Sequence, residues 1–152
     1  MQLAGRGTSI TAPNALSLGR WYHIAVVDNG SEMTIYIDGN AEISVDSSSS
    51  KAINLGFYYN SPFAIGMSAA DVRYFNGYVS EARVWKRALT PTELKNNQCY
   101  VDPATAEGLI GYWRLDQVED DGRTFTDLSG NGYHGKASSN PIWDRRNQVP
   151  PS

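Results

Sequence analysis

Glu81, Arg83 and Trp85 alternate along "YVSEARVW", and a period of two puts alternate residues on one face of a strand. Such a trio has the chemistry of sugar binding. An indole offers a flat apolar plane to the C–H face of a sugar ring, while a carboxylate and a guanidinium fork hydrogen bonds to hydroxyls. The plainer reading is that Glu81 and Arg83 pair with neighbours across a sheet while Trp85 packs under the helix that follows. Phe57, Tyr58 and Tyr59 crowd a second segment, and Tyr74 stands in a third. Exposed on loops they would make a stacking platform, and buried they would be ordinary strand packing.

Asp127-x-Ser129-x-Asn131-Gly132 has the oxygen spacing of the first half of a calcium loop, in which alternate side chains converge on a hard cation. The twelfth position, where a bidentate Glu belongs, is Ser138. The same residues also suit a structural Asx turn. Asp116, Glu119, Asp120 and Asp121 would add carboxylates if the fold gathers them. Calcium is thus the one ion the sequence invites, and it points to no other cofactor.

Catalytic chemistry has less to work with. His23 and His134 are the only histidines, and no Ser or Cys sits in a nucleophile elbow, so a triad has no support. Cys99 is the only cysteine, which excludes an intrachain disulfide and a Cys-rich metal site; its thiol is expected in a small pocket. A formal charge of -3 and a pI near 5.3 leave no clustered cationic surface for nucleic acid or an anionic membrane. Arg145 and Arg146, beside Asp144, read as a solvated tail. No apolar run approaches the roughly 20 residues of a membrane-spanning helix, and the first residues lack the apolar core of a secretion signal.

The elements that must position these residues are strands. A protein of 152 residues is one domain long and can bury roughly two-thirds of its unfolded surface. Trp21–Val27 reads as a strand that Asp28-Asn29-Gly30-Ser31 turns back, because Asn and Gly accept positive φ. Met33, Ile35 and Ile37 then share one face, and after Asp38-Gly39-Asn40 come Ala41, Ile43 and Val45, completing a three-strand meander. The serine run 46–51 predicts an exposed, mobile loop. Residues 53–59 and 63–67 read as further strands, as do residues 77–86. In the last of these Tyr78, Ser80, Ala82 and Val84 oppose Val79, Glu81, Arg83 and Trp85. Thr90-Pro91-Thr92-Glu93 is a capping box that starts a short helix near 91–97. Residues 109–115 form a strand with Trp113 and Leu115 on one face and Tyr112 and Arg114 on the other. The pattern predicts an all-β protein, an antiparallel β-sandwich or jelly roll with one short helix.

At "RWYHIAVVDNGSEMTIYIDGN", "FAIG", "YFNGYVSEARVWKRALTPTEL" and "GLIGYWRLDQ…TFTDLSGNGYHG" the sequence resembles the concanavalin A-like, laminin-G-like jelly-roll domains of Bacteroidetes surface and secreted proteins. The resemblance covers nearly the whole length and implies one domain over 1–145 with a tail at 146–152. Relatives carry more strands before the "W-HIAVV" strand, so this sequence reads as the C-terminal part of such a domain. The final portion resembles the stretch that opens many relatives, which implies a rearranged strand order or an added edge strand. Open edges would invite a homodimer. Some jelly-roll glucanases carry an E-x-D-x-x-E strand, with two carboxylates about 5 Å apart as retention requires. Here Glu81 is followed by Arg83 and Trp85, and Glu42 by Ser44.

The resemblance therefore implies a non-catalytic extracellular or cell-surface module that binds carbohydrate or serves a glycan-handling protein, with sugar or neighbouring domains as partners. Two alternatives stand beside it. One is a structural or adhesion module with no glycan ligand, and the other a fragment of a glycoside hydrolase whose catalytic residues lie elsewhere.

Overall fold

Alternation of apolar and polar residues becomes paired antiparallel strands in the computed structural model, which describes residues 2–5, 8–48, 63–67 and 74–139. Among them no helix is long and apolar enough to cross a membrane. The protein forms two compact units, Met1–Phe63 with Arg87–Tyr100, and Ala64–Lys86 with Val101–Ser152. Each draws on two separated stretches, so no single cut in the sequence divides them.

In the first unit, strand β1 (Gln2–Gly5) pairs with β2 (Thr8–Thr11), and β3 (Ile24–Asp28), β4 (Glu32–Ile37) and β5 (Asn40–Asp46) form the expected meander. Met33, Ile35 and Ile37 are buried with Ile10 and Ala12, and Leu16, Tyr22, Ile43 and Val45 pack against them. The β3–β4 turn closes through Asn29, whose side-chain oxygen accepts the N–H groups of Ser31 and Glu32. Gly30 there has φ +87°, a conformation that glycine adopts without steric cost.

Three expectations change in this unit. Strand β3 begins at Ile24 rather than Trp21, because Asp38 takes the preceding backbone: its carboxylate accepts the His23 N–H at 2.9 Å, and its N–H donates to the His23 carbonyl at 2.8 Å. In the serine run Asp46 and Ser48 are exposed but Ser47 is buried, its hydroxyl donating to Asp28 at 3.0 Å, and residues 49–51 lie outside the described residues. Cys99 is exposed rather than pocketed.

Helix α1 (Pro91–Asn96) carries the full capping box. The Thr90 hydroxyl accepts the Glu93 N–H at 3.2 Å, and Glu93 accepts the Thr90 N–H at 2.8 Å. The Arg87 guanidinium, then the Thr90 N–H and hydroxyl, hold the Glu93 carboxyl down to about 2. Thr90→Ala is expected to cost about 1 kcal/mol, seen as a lower denaturant midpoint at neutral pH, while Thr90→Ser stays near wild type. Equal losses in the two variants would show that the cap is not what holds the helix start.

In the second unit β6 (Glu81–Trp85) pairs antiparallel with β7 (Leu109–Arg114), and β8 (Thr124–Phe125) with β9 (Gly135–Lys136). The segment after the helix thus pairs with β6. Val101, Leu109 and Tyr112 form a buried cluster with Trp85, Ala106 and Leu128 against it. Tyr112 and Trp113, which alternation places on opposite faces of β7, are both buried. Strand β7 has β6 along one edge and a bridge from Trp113 to Asp127 along the other. The strand expected at 63–67 reduces to one bridge between Met67 and Tyr74. The strand expected at 53–59 and the arginine tail lie outside the described residues.

Candidate functional site

Glu81, Arg83 and Trp85 share the face of β6 that the alternation predicts, and that face packs inward. Trp85 lies against the Val101–Leu109–Tyr112 cluster. Arg83 forms an ion pair with Glu81, two residues away on the same strand, and its side chain is only 10% exposed. The guanidinium sits over the Tyr112 ring at 5.3 Å from its centroid, a cation–π contact strengthened by burial. Glu81 thus pairs within its own strand rather than across the sheet, and Trp85 has the half-buried seat of a packing residue.

The Asp127 loop is drawn onto β7. One Asp127 carboxylate oxygen accepts the Tyr112 and Ser129 N–H groups, both at 2.9 Å, and the other accepts the Ser129 hydroxyl and the Tyr133 N–H, again at 2.9 Å. The bond from the Ser129 N–H defines an Asx turn. Asn131 donates its amide to the Leu109 and Ile110 carbonyls, each at 3.3 Å, and the Asp127 N–H donates to His134 Nδ1 at 3.2 Å. Four donors fill the carboxylate's acceptor sites, and Asn131 presents N–H groups rather than oxygen toward the strand. Among the described residues no three His, Cys, Asp or Glu side chains group to hold a metal ion. The donor set is that of a structural latch.

Exposed aromatic surface lies elsewhere, just before β6. The Phe75 N–H donates to the Gly66 carbonyl at 2.8 Å, and beside it Tyr74 bridges Met67. These bonds hold the short segment that leads into β6. From it Tyr74, Phe75 and Tyr78 stand 71%, 60% and 57% exposed. The Phe75 ring rests on Gly77, where a Cβ would meet its Cε1 at 2.7 Å, so the ring is seated by a residue with no side group. Asn76, between the rings, is exposed and has no hydrogen-bond partner among the described residues. Tyr74 was legible in the sequence; Phe75 and Tyr78 were missed, and the available signal was three aromatics within five residues beside an Asn-Gly pair. Tyr58 and Tyr59 lie outside the described residues.

The second unit also holds a polar recess of about 210 Å³, lined by Arg114, Gln117, Val118, Glu119, Thr126 and Leu128. Arg114 pairs with Asp116, and the Thr126 hydroxyl donates to Glu119. Glu119 is the one carboxylate in its lining, whereas a glycosidase site needs two flanking the bond.

A family model described as the concanavalin A-like lectin/glucanases superfamily, of laminin G type, matches residues 2–95. The match ends within α1, ahead of β7 and the Asp127 latch. A crystal structure of a "putative carbohydrate binding protein" from Bacteroides ovatus is 27% identical and covers 88% of this sequence at a TM-score of 0.65. The present protein spans only 39% of that one. The S-layer domain-containing protein of Clostridium thermocellum is 26% identical over 59% of this sequence and 44% of its own, at a TM-score of 0.37. No curated protein matches the sequence.

Proposed function

This protein belongs to the concanavalin A-like lectin/glucanases superfamily, an antiparallel β-sandwich of jelly-roll type, and we propose that it is a non-catalytic carbohydrate-binding module of a larger extracellular or cell-surface protein. The observation that carries this reading is the trio of exposed rings Tyr74, Phe75 and Tyr78 in one short segment that also exposes Asn76. Exposed rings can stack on sugar C–H faces, and an amide supplies both a donor and an acceptor to hydroxyls. The description of the Bacteroides ovatus protein supports the same ligand class. The larger size of that protein supports neighbouring domains as further partners.

A glycan array with the purified protein tests the reading. Specific signal is expected, with affinity reduced roughly tenfold in the Tyr74→Ala, Phe75→Ala double variant, since each stacked ring contributes about 0.5–1.5 kcal/mol beyond its buried area. Signal that survives a chelator would show that calcium is not required. A blank array from folded protein would overturn the proposal.

One observation favours a second reading, a protein-interaction module. Strand β3 has β4 on one side and no strand on the other among the described residues. Ile24 and Val26 on it are 40% and 39% exposed although their partners across the ladder, Ile37 and Ile35, are buried. An open apolar edge of this kind invites strand pairing with a second molecule. A blank array together with concentration-dependent self-association would support it.

A further inference from the structure

Three Asn-Gly pairs occur in the sequence, Asn29-Gly30, Asn76-Gly77 and Asn131-Gly132. Glycine has no Cβ to obstruct its own nitrogen, so each pair can close a five-membered ring. In that step the glycine backbone nitrogen attacks the carboxamide carbon of the asparagine. A new N–C bond forms, the carboxamide C–N bond breaks, and the amide nitrogen leaves as ammonia with the proton from the glycine N–H. Water then opens the succinimide at either carbonyl, giving aspartate or isoaspartate. No oxidant or reductant is needed. The step requires a glycine N–H that is not engaged and an Asn side group free to swing toward it.

Two of the three pairs are restrained. The Gly30 N–H donates to Asp28 at 2.9 Å, and the Asn29 oxygen is held by the Ser31 and Glu32 N–H groups, both at 2.9 Å. The Asn131 amide nitrogen, which would have to leave, donates to the Leu109 and Ile110 carbonyls and to the Ser129 hydroxyl at 3.1–3.3 Å. Asn76 and Gly77 are both exposed, and neither has a hydrogen-bond partner among the described residues.

We propose that Asn76 is a modification site, converted in the folded protein by ring closure onto Gly77 and hydrolysis by water. The product places a carboxylate between Phe75 and Tyr78. In its isoaspartate form it also inserts a methylene into the backbone between Phe75 and Gly77, where the ring is seated. The inference stands on hydrogen bonding alone and is independent of what the rings bind.

The test is peptide mapping by mass spectrometry after incubation at mildly alkaline pH, with isoaspartate distinguished by fragmentation. In native protein the Asn76 peptide is expected to convert roughly tenfold or more faster than the Asn29 and Asn131 peptides, because those sites must first break local hydrogen bonds. In denaturant all three are expected to convert at similar rates, which assigns the native difference to structure. Asn76→Gln should remove the dominant native signal. Native conversion at Asn29 or Asn131 as fast as at Asn76 would overturn the proposal, as would a rate order that denaturant leaves unchanged.

Discussion

Asp127→Ala is expected to lower stability by about 3 kcal/mol, because it leaves the buried Tyr112 N–H and three part-buried donors without an acceptor at once. The carboxylate takes N–H groups from Tyr112, Ser129 and Tyr133 and the Ser129 hydroxyl, and it is itself only 5% exposed. Solvent does not readily replace it at Tyr112, which is 2% exposed. For a protein of this size the loss corresponds to a fall of roughly 6–12 °C in Tm. A loss under about 1 kcal/mol would mean that water reaches the vacated donors and that the latch is not buried in solution. Asp127→Asn keeps the shape but turns one acceptor into an NH₂ that faces the Tyr133 N–H, so an intermediate loss is expected.

The same carboxylate sets a pH dependence. Burial acts to raise its pKa, but the hydrogen bonds from Tyr112, Ser129 and Tyr133 outweigh burial and leave it below the ordinary value. A carboxyl group whose folded pKa lies below its unfolded one contributes fully above the unfolded value, and the contribution fades as pH falls through the folded one. The stability gap between wild type and Asp127→Asn should therefore be constant near neutrality and narrow from roughly pH 4 downward. A gap that does not change in acid would remove Asp127 as the source.

Part of what could be read locally matches the structure. Met33, Ile35 and Ile37 announce a strand with one buried face, and Thr90 with Glu93 announces a helix start, because strand period and capping chemistry both lie within a few residues. What failed depended on partners distant in sequence. Tyr112 and Trp113 were placed on opposite faces of β7, but that both are buried was not legible, because what lies against them is distant in sequence: Arg83 over the Tyr112 ring, and Tyr133 and Gly135 beside the indole. Asp, Ser and Asn at alternate positions have the spacing for a cation and for a turn; that the loop is tied to β7 depends on the Tyr112 N–H, 15 residues away. Glu81, Arg83 and Trp85 were placed on the right face of β6, but its burial comes from residues 101–112. The exposed ring of Phe75 escaped notice because it precedes the ladder, and that of Tyr78 because it was read into a strand that begins only at Glu81.

Gly111→Ala is expected to be nearly as damaging as loss of Asp127, by a different route. A Cβ on Gly111 would stand 2.3 Å from Trp113 Cη2 and 3.0 Å from Cζ2 and Cζ3, so the indole or the strand must move. The indole has little room to withdraw. Its Nε1–H donates to the Tyr133 carbonyl at 2.7 Å, and Gly135 lies close to its other edge, where a Cβ would be 3.6 Å from Cδ1. Overpacking of this kind costs about 1–3 kcal/mol, and loss of the indole hydrogen bond adds about 1 kcal/mol. The mechanism predicts strong coupling. In a Trp113→Phe background the ring is smaller and no N–H ties it to Tyr133, so Gly111→Ala should cost under about 1 kcal/mol, a non-additivity of order 2 kcal/mol. Additive losses in that cycle would locate the damage in the β7 backbone rather than in the glycine–indole contact, while near-neutral behaviour of Gly111→Ala alone would show that the indole can leave its seat without consequence.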